Sequence, residues 1–123
     1  MDMERTKGRI VAKQDHLGEF EQLALLAVMR LGDEAYGASI QEELDGTAER
    51  SAAISSIYIT LTRLESKGLV RSSMGEPTGD RGGKPRRYFR VEPAGVESLR
   101  EARKRLLSMW SGLETELEGA RGR

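Results

Sequence analysis

Residues 54–90 read ISSIYITLTRLESKGLVRSSMGEPTGDRGGKPRRYFR. Ile57, Leu61 and Leu64 fall on one stripe of a helix that begins near Ile54. Ser55, Ser56, Ile59, Thr60, Thr62 and Arg63 are left around its other sides, and Gly68 ends it. Ser51 or Ser55 is placed to cap its N-terminus. Leu69 to Ser73 reads as a short strand, and Gly75 to Pro85 as a hairpin tip. Arg86 to Glu92 alternates enough to be the return strand. Arg81, Lys84, Arg86, Arg87 and Arg90 follow one another with no acid between them. A helix with a hydrogen-bonding outer side, followed by a two-stranded ribbon with a basic tip, is the outline of a winged helix-turn-helix.

The flanking sequence supplies the elements that outline needs. Leu17 to Leu31 (LGEFEQLALLAVMRL) carries apolar residues at helical spacing with a wide buried face, and Gly32-Asp33 stops it. Tyr36-Gly37 opens a second helix over Ala38 to Leu44, with Ile40 and Leu44 facing inward and Asp45-Gly46 closing it. Pro93 suits the first turn of a last helix running to about Glu118. Val96, Leu99, Leu106, Trp110, Leu113 and Leu117 mark a heptad-like seam along it, interrupted by Arg103. At ~1.5 Å per residue that helix is roughly 35–40 Å long, more than a head of three helices can cover. A second copy of the chain is the simplest partner for the seam. The expected organisation is a loose arm at 1–16, a winged helix-turn-helix at 17–92, a dimerisation helix at 93–118 and a frayed tail at 119–123. The expected fold is mainly α with a small two-stranded wing.

Composition narrows the chemistry. The chain has 123 residues, suited to one domain, with 37% hydrophobic and 33% charged residues. It has no cysteine and one histidine, His16, which excludes a disulfide framework and a multi-histidine metal site. No carboxylate pair, phosphate-binding glycine loop or Ser-His-Asp order is evident, so neither catalysis, a metal nor a cofactor is expected. No apolar run approaches a membrane span and no secretory leader is visible, so a cytoplasmic location is expected. Net charge is +0, with 20 basic and 20 acidic residues, so any attraction for nucleic acid must come from local clustering.

Double-stranded DNA is the partner these residues suit. A major groove admits one α-helix, and base edges accept short hydroxyls and bidentate arginine. Ser55, Ser56, Thr60, Thr62 and Arg63 provide those groups, and Tyr58 offers a hydroxyl to a phosphate. Arg81, Lys84, Arg86 and Arg87, set around Gly82-Gly83 and Pro85, suit phosphate contact. The plainer alternatives are an ordinary exposed helix face and a solvated hairpin whose charges stop its edges from pairing.

The order of elements, with YGASIQEEL, IYITLTRLESKGLV and RGGKPRRYFRVEPAGVESL in register, resembles the PadR family of bacterial transcriptional regulators. The likeness extends from about Leu17 to Leu117. It implies a homodimeric DNA-binding regulator, usually a repressor, whose last helix and first helix form the dimer contact. It also implies, as in some members, a small-molecule effector near that contact, with Trp110 and Met109 as candidate walls of the pocket. Plain packing of Trp110 between subunits is the simpler alternative. The chain departs from the family pattern at Glu92, where threonine is common, at Ser55, where glycine is common, and at Arg103 on the seam. A rival of another class is a winged helix used only for protein–protein assembly, which predicts no salt-dependent affinity for DNA.

Overall fold

The computed structural model describes residues 16–76 and 85–122. Helix α1 (Glu19–Leu31) leads through a 3-10 turn (Gly32–Glu34) into α2 (Gly37–Ala48) and α3 (Ile54–Ser66). Strands β1 (Val70–Met74) and β2 (Arg87–Val91) follow, then α4 (Pro93–Trp110) and α5 (Glu114–Gly122). The strands pair antiparallel, with Ser72 opposite Phe89. Three helices followed by a hairpin and a long helix make a winged helix-turn-helix of mainly α class, as the sequence pattern predicts.

One core holds the head together. Leu25 and Val28 from α1, Ile40 and Leu44 from α2, and Ile57, Leu61 and Leu64 from α3 meet in it, each at most 2% exposed. Leu69, just before the sheet, and Val70 and Phe89 within it close the core. Burial of each such side chain contributes about 1.5–3 kcal/mol, so the apolar stripes decide how every helix is rotated. At the surface Arg30 donates to Glu43 at 2.7 Å and ties α1 to α2. Hydrogen bonds from Thr47 and Arg30 hold the Glu43 carboxyl below its ordinary range.

Four details differ from the sequence expectation. Helix α2 continues through Asp45-Gly46 to Ala48 and ends at Glu49, which adopts the left-handed region at φ 53°. A single interior glycine costs a helix only ~1 kcal/mol, less than the packing of Leu44 returns. Helix α3 has Ala53, not Ser51 or Ser55, at its N-cap, and no side chain caps it. Ser51 donates to Asp45 instead, at 3.3 Å. The C-terminal helix is present, with Pro93 in its first turn, but it stops at Trp110, which gives α4 about 27 Å of length. Gly112, at φ 85°, takes the chain through a turn before α5, so Leu113 lies in that turn and the seam bends there. Leu99, expected on the dimer seam, packs into the head core at 9% exposure. It follows Gly95 by one helical turn on the face that α4 lays against the sheet, which draws it inward.

Gly95 permits that approach. A Cβ there would lie 2.3 Å from the Leu69 carbonyl oxygen and 2.8 Å from Val91 Cγ1. Gly95→Ala is therefore expected to destabilise the fold by about 1–3 kcal/mol. Thermal unfolding followed by circular dichroism measures this as a lower Tm; an unchanged Tm would mean that α4 is not held against Leu69.

Candidate nucleic-acid interface

The core turns α3 so that one face is sealed and the other stands in solvent. Ser55, Ser56, Ile59, Thr62, Arg63 and Ser66 are exposed, while Ile57, Leu61 and Leu64 are buried. Thr60 departs from expectation: it is 6% exposed and lies with the core stripe. It is three residues after Ile57 and four before Leu64, the spacing that places residues on one helix face. It is therefore removed from the candidate base-reading set. Tyr58 is half-buried, its ring tilted against Phe89 at 5.9 Å between centroids and close over Gly37. Arg63 is 52% exposed and approaches Glu21 at only 3.7 Å, a loose pairing that water competes with.

The hairpin is fastened to α3 by one carboxylate. Glu65 accepts from the Ser72 amide at 3.2 Å, from the Ser72 hydroxyl, and from Arg87 at 2.7 Å. Ser72 belongs to β1 and Arg87 to β2, so both strands answer to the last turn of α3. The Arg87 guanidinium also lies over the Phe89 ring, 5.0 Å from its centroid. The sequence suggests Arg87 as an open phosphate contact, but it is a half-buried strut between strand and helix. Its head group satisfies Glu65, which is one residue from the helix end and accepts from both strands. The sequence signal for this was the acid of LES ahead of the glycine stop.

A second fastening is aromatic. Ala35 accepts from the Phe89 amide at 2.9 Å, and Tyr36 forms a bridge with Tyr88. The Tyr36 and Tyr88 rings meet edge to face at 5.5 Å, with the Arg86 guanidinium 4.1 Å from the centroid of Tyr36. The segment before α2 thus adds one pair to the hairpin. YG before α2, the tyrosine of α3 and YF of β2 are scattered in the sequence and adjacent in space. Arg90 pairs with Asp33, and Arg71 lies 4.0 Å from Glu92. Arg81 and Lys84, the other basic residues of the wing expectation, lie outside the described residues, as does the arm up to residue 15.

Helices α1 and α4 border an open groove of about 490 Å³. Leu26, Met29, Leu106, Leu107 and Trp110 line it, each between 43% and 55% exposed. Gln22, Val96, Leu99, Arg100 and Arg103 complete its lining. Met109 does not line it and stands 76% exposed, so its place as a pocket wall is not supported. Leu113 is exposed in the turn beyond, and the Leu117 side chain is outside the described set.

The sequence model described as the Transcriptional regulator PadR-like family matches residues 25–101, more than half of the chain. The chain belongs to the PadR-like family. A PadR family transcriptional regulator from Eggerthella lenta has 25% identity and a TM-score of 0.60, over 95% of this chain and 94% of its own. A PadR family regulator from Clostridium difficile shares the fold at 21% identity and TM-score 0.59, over 80% of this chain and 98% of its own. The Orc1 protein of Aeropyrum pernix, solved in complex with DNA, shares the fold at 24% identity and TM-score 0.53. That likeness covers 76% of this chain and 25% of the Orc1 chain. No curated protein matches closely enough to count as a relative. Among the described residues of this PadR-like chain, no helix is long and apolar enough to cross a membrane.

If Glu65 fastens the PadR wing to α3, Glu65→Ala frees the hairpin locally. The pair is about one-third exposed, so the global cost is expected to be only about 1 kcal/mol. Amide exchange read by NMR is expected to quicken at Ser72 while the Leu61 and Leu64 amides keep their protection beyond the global change. Equal acceleration at all three sites would show that Glu65 acts on the whole fold instead.

Proposed function

We propose that this chain is a homodimeric, sequence-specific DNA-binding repressor of the PadR type that acts on a pseudo-palindromic operator. The observation that carries the reading is the two-sidedness of α3. Its core face is closed, and Ser55, Ser56, Thr62 and Arg63 stand together on the open one. Short hydroxyls and one arginine on a protruding helix suit base edges in a major groove. The hairpin next to it is held to the last turn of α3 by Glu65, and phosphate contact from the basic wing residues Arg81 and Lys84 belongs to the same proposal. Membership of a regulator family supports the same reading.

Dimerisation rests on the groove between α1 and α4. Its apolar lining of Leu26, Met29, Leu106, Leu107 and Trp110 is contiguous along two helices, and a second copy related by a two-fold axis would cover it. Two copies of α3 would then enter successive major grooves about 34 Å apart. Trp110 lies on the groove wall, where a flat effector could alter the dimer geometry and so the half-site spacing.

The test is selection from a random duplex pool, followed by binding at ~50 and ~200 mM salt. Enrichment of an inverted repeat is expected, with affinity falling at least ten-fold between the two salt concentrations. Arg63→Ala is expected to lower the ratio of specific to random binding about ten-fold. Leu106→Asp is expected to sediment as a monomer and to lose the preference for the repeat. No enrichment together with no salt-dependent affinity would favour a protein–protein assembly module, a rival the balanced net charge of +0 does not oppose.

A further inference from the structure

We propose that Ile59 reads the C5-methyl group of a thymine in the operator. The inference rests on the reading that α3 enters a major groove. Ile59 is 60% exposed in the middle of the open face. Ser55 and Ser56 precede it by one turn, and Thr62 and Arg63 follow it by one turn, all exposed. It is thus an aliphatic side chain ringed by hydrogen-bonding ones. The core does not need it, since Ile57, Leu61 and Leu64 already fill the inward stripe at 0% exposure. The helix does not need it either, since isoleucine is a poorer helix former than alanine and an exposed site returns no packing.

Ile59 is not part of the apolar groove, which is lined from α1 and α4. A lone aliphatic group surrounded by polar ones also differs from the continuous apolar patch that a protein partner buries. In a major groove the partner of matching chemistry is the thymine methyl, the apolar feature presented there among donors and acceptors. A β-branched side chain on a helix holds one strongly preferred χ1 rotamer. Ile59 therefore presents its methyl groups in a fixed direction while the flanking hydroxyls and Arg63 address polar base edges. Ile59 thus sets preference for an A·T pair at the centre of each half-site.

The duplex enriched by the wild-type protein provides the probe. Each thymine in one half-site is replaced in turn by deoxyuridine, which lacks only the methyl group, and the dissociation constant is measured for wild type and Ile59→Ala. One replacement is expected to weaken wild-type binding about three- to ten-fold. Ile59→Ala is expected to weaken binding to the thymine duplex by a similar factor and to be indifferent to that replacement. Its melting curve should match that of wild type, because the side chain is outside the core. If no replacement affects wild type, or if one affects both proteins equally, Ile59 does not read a methyl group, although the proposed function stands. If the wild type enriches no duplex at all, the proposed function itself fails and this inference falls with it.

Discussion

The burial of Ile57, Leu61 and Leu64 is the interaction on which the rest depends. They occupy one stripe of α3, so their packing against α1 and α2 fixes the helix's rotation as well as its place. A rotation by one residue, about 100°, would carry Thr62 toward the core and lift Ile57 and Leu64 into water, where Ser56 and Arg63 now stand. Each buried aliphatic contributes about 1.5–3 kcal/mol, which makes such a slip costly. The open face of α3 is therefore a consequence of the closed one. The chain keeps a dry core and a hydrogen-bonding surface on one 13-residue helix.

The wing inherits that orientation. Glu65 gathers Ser72 and Arg87, and the Tyr36–Tyr88 bridge ties the hairpin to the start of α2. Helix, hairpin and the segment before α2 thus share one set of contacts, so the hairpin keeps its place beside the open face of α3. The same contacts spend basic charge internally. Arg87, Arg90 and Arg71 each have an acidic neighbour, which accords with a net charge of +0. On the proposed reading, DNA affinity then comes from a few placed groups more than from a broad positive field.

Much of this was legible in the sequence, because helical periodicity and glycine stops are local signals. The order of elements, the inward stripe of α3 and the start of α4 at Pro93 follow from such signals alone. What escaped depended on partners distant along the chain. Thr60 looks like a surface hydroxyl until the stripe of Ile57 and Leu64 is extended through it. Arg87 looks like a free cation until Glu65, 22 residues earlier, is folded beside it. Leu99 reads as a seam residue alone until Gly95 lets α4 settle on Leu69; folded, it joins the head core as well as the α1–α4 groove. Gly112 was visible as a residue, but an apolar seam continuing on both sides masked the turn it makes. Ile59 was visible too; its meaning came only from the exposure of the ring of polar residues around it.

The central claim is that two copies of the open face of α3 sit in successive major grooves of one duplex. The absence of cysteine makes the direct measurement simple, since Ser56→Cys creates a single attachment point for an iron chelate that cleaves nearby DNA. On the enriched duplex the account predicts two cleavage zones about 34 Å apart, each centred in the major groove of a half-site. Cleavage confined to the minor groove, or none with the protein bound, would contradict it.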